Sequence, residues 1–216
     1  MRPVKQRKEP PCFDGRVRKR GQEFVKTHPD VPVGKWPPYW RDISRELWDA
    51  YDGIDAYYSF YFEYIMGVQV DHFLPKSRCP HLAYEWSNYR LASSGANGHK
   101  HTTVNILDPF TMKPHSFFIN FLSGEIYPNP NYAKSYVLKC NQTIKALKLD
   151  DQSLNYARRQ RFYELCIGAV SLEHLKKISP FVWDEVCRQG LDRFVEAHRR
   201  QMAFTEFAEK VLSGIL

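Results

Sequence analysis

The sequence predicts an α+β fold, in which a small β-containing centre lies between an extended basic N-terminal arm and a mainly helical C-terminal half. The first residues are rich in proline, glycine and charge. Short β-prone runs separated by turns follow, and apolar residues then recur at helical spacing. The predicted regions are 1–38 (arm), 39–130 (core) and 131–216 (helical half packed on the core).

An arm, one helix and four β-prone runs are predicted before the helical half. The pairs Pro10-Pro11 and Pro37-Pro38 keep the arm extended. A helix is predicted over 41–51, because Ile43, Leu47 and Trp48 fall on one face. Four β-prone runs then follow at 66–71, 88–92, 116–122 and 125–127, the last two joined by a turn at Ser123-Gly124.

Three further helices are predicted in the C-terminal half. Asp150 or Asp151 caps the first, and Ser179 followed by Pro180 opens the second. The apolar residues predicted to face inward are Leu154, Ala157, Phe162, Leu165, Ala169 and Leu172 in the first, Val182, Val186, Leu191 and Phe194 in the second, and Phe204, Phe207, Val211 and Ile215 in the last.

Composition limits the class of protein. Hydrophobic residues make up 43% of the chain and aromatic residues 15%, which is a globular composition. No apolar run has the length of a membrane helix, and the polar, basic start has no signal-peptide core. The five cysteines are widely spaced, which favours a reducing compartment. We therefore expect a cytoplasmic protein with no membrane contact.

The positive charge is concentrated at the N-terminus. Residues 1–26 hold nine Lys or Arg and three acidic residues, which accounts for +6 of the formal net charge of +7. Such an arm suits phosphate backbones or an acidic protein partner. The alternative is a solvated tail that only aids solubility.

The chemistry-bearing residues lie between residues 70 and 101. Asp71 and His72 are adjacent at the end of a predicted strand, so their side chains point to opposite faces unless a turn intervenes. The carboxylate is a candidate ligand for a hard divalent ion, and the imidazole is a candidate proton acceptor near neutral pH. Asn97 and His101 are four residues apart and share one face if the segment is helical. Together, these residues could hold a single metal ion with open water sites, which phosphodiester hydrolysis requires. Any one of them alone is more often a loop or surface feature.

Three short motifs follow one another here. They are Asp71-His72-Phe73 with Pro75-Lys76-Ser77, then Trp86 to Asn88, then Asn97 to Lys100. Their order and spacing resemble the HNH nucleases, also called ββα-metal or His-Me finger nucleases. The motifs are similar to those of a subgroup that includes nuclease subunits of bacterial anti-phage systems, in which the nuclease pairs with an ATPase (Septu-type and some retron systems).

The resemblance implies a role for each residue. His72 would be the general base, and Asn88 would fix the loop that aims His72. Asp71 and Asn97 would ligate one Mg²⁺ or Mn²⁺ ion, with His101 as a further ligand or leaving-group helper. Lys100 would contact phosphate.

The chain departs from the family pattern at a structural zinc site. Many relatives carry two C-x-x-C pairs, whereas Ser93 and Ala96 occupy the second pair here and residues 56–60 contain no cysteine. We therefore expect no structural zinc. Packing of aromatic residues would hold the finger instead. The aromatic residues expected to do so are Tyr57, Tyr58, Phe60, Phe62 and Trp86.

The leading hypothesis is thus a metal-dependent HNH endonuclease, with DNA favoured over RNA, acting as the effector subunit of an anti-phage defence complex with an ATPase partner. One alternative is an RNase with the same site, for example one that cleaves tRNA. Another is a non-catalytic subunit that binds nucleic acid or an ATPase.

Overall fold

The computed structural model describes residues 1–100, 102–197 and 200–201. The candidate ligand His101 and the predicted last helix with Phe204, Phe207, Val211 and Ile215 lie outside these residues. The fold is α+β, about 50% helical with two small antiparallel sheets, which confirms the predicted class. Within the described residues, no helix has the length and apolar character needed to cross a membrane.

The regular elements have the following bounds. The helices are α1 (Lys19–Thr27), α2 (Ser44–Ala50), α3 (Ser94–Lys100), α4 (Lys134–Ala146), α5 (Gln152–Cys166), α6 (Leu172–Ile178) and α7 (Pro180–Arg188). The strands are β1 (Gln69–His72), β2 (Tyr89–Ala92), β3 (Phe117–Ile119) and β4 (Ile126–Pro128). β1 pairs with β2, and β3 pairs with β4. A π-helical turn (Asp14–Arg18) precedes α1, and short 3₁₀ turns occupy Val33–Lys35, Tyr39–Ile43, Tyr64–Met66, Pro80–Leu82 and Trp86–Asn88.

The chain divides into two compact units, which differ from the three predicted regions. The first contains Met1–Phe118 and Ile126–Asp151, and the second contains Ile119–Glu125 and the described residues from Gln152 onward. The core of the first unit is largely aromatic and includes Phe13, Trp86 and Tyr89. In the second unit, the Glu185 carboxylate is buried, pairs with Arg188 at 2.7 Å and accepts a hydrogen bond from the Ile119 amide.

The N-terminal residues are not the extended arm that the sequence predicts. Phe13 and Val17 are fully buried, and Phe13 packs edge-on against Trp86 and Tyr89. Several of the basic residues pair with acids that are distant in sequence, as in the contact between Arg18 Nε and Glu85 at 2.9 Å. Similar pairs join Arg7 to Asp52, Arg16 to Glu46 and Arg20 to Asp42, and Lys19 pairs with the nearby Asp14. Proline content suggested an arm, but apolar burial and charge pairing fold the segment onto the core.

Two details of the predicted helices also differ. The helix with Leu154 and Leu165 ends at Cys166, because Gly168 takes a left-handed φ of 80° and breaks the helix before Ala169. Phe194, predicted to face inward, is 70% exposed, whereas Val195 beside it is buried. The break at Gly190, where φ is 70°, ends the helical periodicity on which that prediction depended.

Candidate active site

The candidate site is built on an antiparallel strand pair followed by a helix. β1 and β2 pair in a register that sets Val70 opposite Leu91 and His72 opposite Tyr89. α3 begins two residues after β2, and its residues pack against both strands. Because α3 covers one side of the pair while the aromatic core covers the other, all four residues of β2 are buried. Asp71 and His72 lie at the end of β1, where the chain leaves the pair.

His72 is held by the backbone of a neighbouring loop. Its Nε2 lies 2.8 Å from the carbonyl oxygen of Ala83, and its ring packs edge-on against Tyr89 with centroids 5.1 Å apart. A carbonyl can only accept, so Nε2 carries the proton and Nδ1 is left with a free lone pair. Burial lowers the pKa of His72 to about 4, against the opposing effect of the Ala83 bond. The imidazole is therefore neutral near pH 7 and can accept a proton at Nδ1.

Asn88 fixes the loop between β1 and β2. Its Oδ1 accepts a hydrogen bond from the Leu74 amide at 2.8 Å, and its Nδ2 donates to the carbonyls of Leu74 and Leu82. The side chain is 3% exposed. Asn88 thus ties the segment after His72 to the segment that carries Ala83, as the loop-fixing role requires.

Asp71 and Lys100 form a buried ion pair between β1 and α3. Lys100 Nζ lies 3.1 Å from Asp71 Oδ1 and 3.0 Å from the carbonyl oxygen of His72, and both side chains are almost completely buried. The Tyr57 hydroxyl donates to Asp71 Oδ2. Burial raises the pKa of Asp71 while the Lys100 charge lowers it, and burial lowers the pKa of Lys100. The Lys100 ammonium is fully buried and is the counter-ion of Asp71, and its expected contact with phosphate stays a prediction.

The residues present suit a hard divalent cation. A carboxylate offers about four lone-pair positions, and hydrogen bonds to Tyr57 and Lys100 occupy two of those on Asp71. Asn97 is half-buried on α3, and its side-chain amide has no hydrogen-bond partner in the described part of the chain. The unoccupied lone pairs of Asp71 on β1 and the side-chain oxygen of Asn97 on α3 are thus the oxygen donors that these residues could offer to Mg²⁺ or Mn²⁺. The described residues contain no group of three or more His, Cys, Asp or Glu that could hold a metal ion.

Asp55 is the main residue that sequence reasoning missed. Its Oδ1 accepts hydrogen bonds from the amides of Tyr57 and Tyr58, both at 2.8 Å, and its Oδ2 accepts from the Ser93 amide at 2.6 Å. The side chain is 2% exposed. Asp55 thus joins the turn before β1 to the start of α3. These are the two segments at which many members of the HNH family, which the sequence resembles, carry their zinc-binding cysteine pairs. The sequence does contain one signal for this role, because an aspartate often accepts a hydrogen bond from the backbone amide two residues later in a turn.

Two further contacts support this part of the molecule. The Tyr58 hydroxyl bonds His99 Nδ1 at 2.8 Å, which attaches the same turn to the end of α3. Arg90 of β2 forms a bidentate ion pair with Asp108, at 2.9 and 2.7 Å, and its guanidinium lies 3.5 Å from the Phe110 ring centroid. The five cysteines, all described, are free thiols.

Comparison of the chain with models of known protein families and with curated proteins finds no match.

Proposed function

We propose that the protein is a metal-dependent endonuclease of the HNH type, which hydrolyses phosphodiester bonds in nucleic acid, with DNA favoured. The observation that carries the proposal is the arrangement at the end of β1. There, a neutral imidazole whose Nδ1 accepts no hydrogen bond from a described residue follows a buried carboxylate in sequence, and α3, which packs against β1, carries Asn97 as a candidate second oxygen donor.

Each of the candidate site residues has a defined role in this mechanism. His72 Nδ1 accepts a proton from the attacking water, and the Nε2–H bond to Ala83 keeps the ring in the correct tautomer as it becomes positively charged. Asn88 holds the loop that aims the ring. Asp71 and Asn97 would hold Mg²⁺ or Mn²⁺, which when bound neutralises charge on the phosphate and on the leaving oxygen.

The experiment is a cleavage assay on supercoiled plasmid and on total tRNA, with Mg²⁺, Mn²⁺ or EDTA. His72→Ala should reduce cleavage by about 10²–10⁴-fold, the usual contribution of a general base. His81→Ala is the matched control, because His81 is exposed on the nearby Pro80–Leu82 turn and its side chain forms no hydrogen bond with a described residue of the site. Cleavage that persists in EDTA, or equal cleavage by the His72 and His81 variants, contradicts the mechanism. Cutting of tRNA alone assigns the site to an RNase.

We further propose that the nuclease acts as the effector subunit of an anti-phage complex with an ATPase, as the resemblance implies. Support comes from an exposed apolar stripe on α5 and its end, where Tyr156, Tyr163 and Ile167 are 63%, 56% and 58% exposed. Spacings of seven and four residues place such side chains on one helix face. Co-purification of a chain with ATPase activity, lost in Tyr163→Glu, supports the partnership. A monodisperse monomer with full specific activity contradicts it.

A further inference from the structure

A cavity of about 360 Å³ opens in the first unit beside the candidate active site. Its walls include the aromatic rings of Phe73 and Tyr136 and the aliphatic side chains of Val104 and Ile106. This volume falls in the range of about 300–1,000 Å³ that small-ligand sites occupy. The aromatic and aliphatic lining suits a flat, largely apolar ring.

The lining also contains polar groups with a defined charge. Lys139 is exposed on α4, and Asp108 contributes a carboxylate that Arg90 already holds in place. A fixed carboxylate can accept a hydrogen bond from the amino group of a base, and a lysine can hold a phosphate as a point charge. The apolar cleft and the acceptor match the base of a nucleotide, and the cation matches its phosphate.

Phe73 connects the cavity to the proposed reacting centre. It directly follows His72, and its ring centroid lies 5.6 Å from Lys100 Nζ, which is bonded to Asp71. A nucleotide bound at the end of β1 would place a neighbouring base near Phe73, because Phe73 directly follows His72. Stacking of a base on an aromatic ring is tolerant of sequence, because every base has a π face.

We propose that this cavity receives a nucleobase of the substrate strand, from a nucleotide next to the phosphate that is cut, and that Lys139 holds a flanking phosphate. The inference rests on the proposed nuclease function and deepens it by naming the part of the substrate that the protein grips. A base can enter the cavity only when it is unpaired, so single-stranded or locally opened substrate is favoured.

The test compares two fluorescein-labelled probes of equal length by anisotropy at fixed salt in EDTA. One is a mixed-sequence single-stranded DNA, and the other is the same backbone with abasic sites. The wild-type chain should bind the intact strand about tenfold more tightly, at the low end of the effect of one stacked base. Equal binding of the two probes by the wild-type chain overturns the proposal.

Variants separate the cavity from the rest of the surface. Val104→Trp fills the cavity and should remove the preference for the intact strand, whereas Leu138→Trp adds the same bulk on α4 outside the lining and should retain it. Should Val104→Trp lose its native circular dichroism, Thr111→Trp at the exposed rim replaces it. A folded cavity variant that keeps the full preference overturns the proposal.

The role of Lys139 is tested with a control on the same helix. Lys139→Ala should weaken the binding of both probes, because it removes a phosphate contact and leaves the stacking surface. Lys145→Ala, which removes an equally exposed charge from α4, should leave both affinities unchanged. Equal effects of the two substitutions contradict the phosphate contact.

Failure of this inference is distinguishable from failure of the proposed function. Cleavage is measured separately with Mg²⁺ on the same preparations. Metal-dependent cutting that requires His72, together with equal binding of both probes, overturns the base pocket alone. Base-dependent binding without any cutting overturns the nuclease function.

Discussion

Replacement of Asp55 tests how the turn before β1 is held to the start of α3. In Asp55→Asn, one oxygen still accepts from the amides of Tyr57 and Tyr58, but an NH₂ group now faces the Ser93 amide. A buried donor without an acceptor costs about 1–3 kcal/mol. In Asp55→Ala all three donors lose their acceptor, and the expected cost is at least about 3 kcal/mol by the same rule.

These costs convert into melting temperatures that circular dichroism can resolve. For a chain of this size, a loss of 1 kcal/mol lowers the Tm by about 2–4 °C. A cost of about 2 kcal/mol for Asp55→Asn therefore corresponds to a decrease of about 4–8 °C, and Asp55→Ala should lose about 6 °C or more. Hydrogen exchange should accelerate at the Ser93 amide in both variants.

Asp49→Asn is the matched control. It is the same substitution at an exposed position of α2, where Asp49 pairs with Arg45 at 3.1 Å. An exposed helix pair of this kind contributes no more than about 0.5 kcal/mol. If Asp55→Asn melts within 2 °C of Asp49→Asn, by the conversion of about 2–4 °C per kcal/mol, Asp55 does not hold the finger together.

Three further substitutions probe the surrounding structure. Lys100→Met leaves the buried Asp71 carboxylate without its counter-ion, so stability should fall by about 3–5 kcal/mol. Added Mg²⁺ should raise the Tm of this variant more than it raises the Tm of the wild-type chain, and an equal rise in both proteins refutes this. Gly21→Ala places a Cβ 2.1 Å from Tyr84 Cγ and should cost about 1–3 kcal/mol, whereas Gly15→Ala, with nothing within 4 Å, should be tolerated; equal melting of the two would contradict the close contact. Deletion of residues 1–26 should abolish cooperative unfolding of the first unit, because it removes Phe13 and Val17 from the core, and a native melting curve for the truncated chain would show that this packing is dispensable.

The sequence predicted the local elements better than their packing. The strand runs and the helix around Ile43 and Leu47 were readable because periodicity is a local property. The burial of Phe13 was not, because its partners Trp86 and Tyr89 are more than seventy residues away. Composition alone described that segment as an arm.

The candidate site shows the same division. Motif spacing predicted that Asp71 and His72 lie at a strand end and that Asn97 and Lys100 lie on one short helix. It could not predict that Lys100 turns inward, because the choice between a phosphate and Asp71 depends on how α3 packs against β1. It also could not identify the Ala83 carbonyl, because backbone groups carry no residue signature.

The contacts that join the turn before β1 to α3 also orient the carboxylate of Asp71, the proposed metal ligand. Asp55 holds the Tyr57 amide, the Tyr57 hydroxyl donates to Asp71, and Lys100 closes the network between Asp71 and α3. Asp55 completes it by binding the Ser93 amide just before α3. Tyr57 belongs to the turn through its amide and contacts Asp71 through its hydroxyl. A change that loosens the turn should therefore also displace the Asp71 carboxylate, so we expect stability and the proposed metal affinity to fall together.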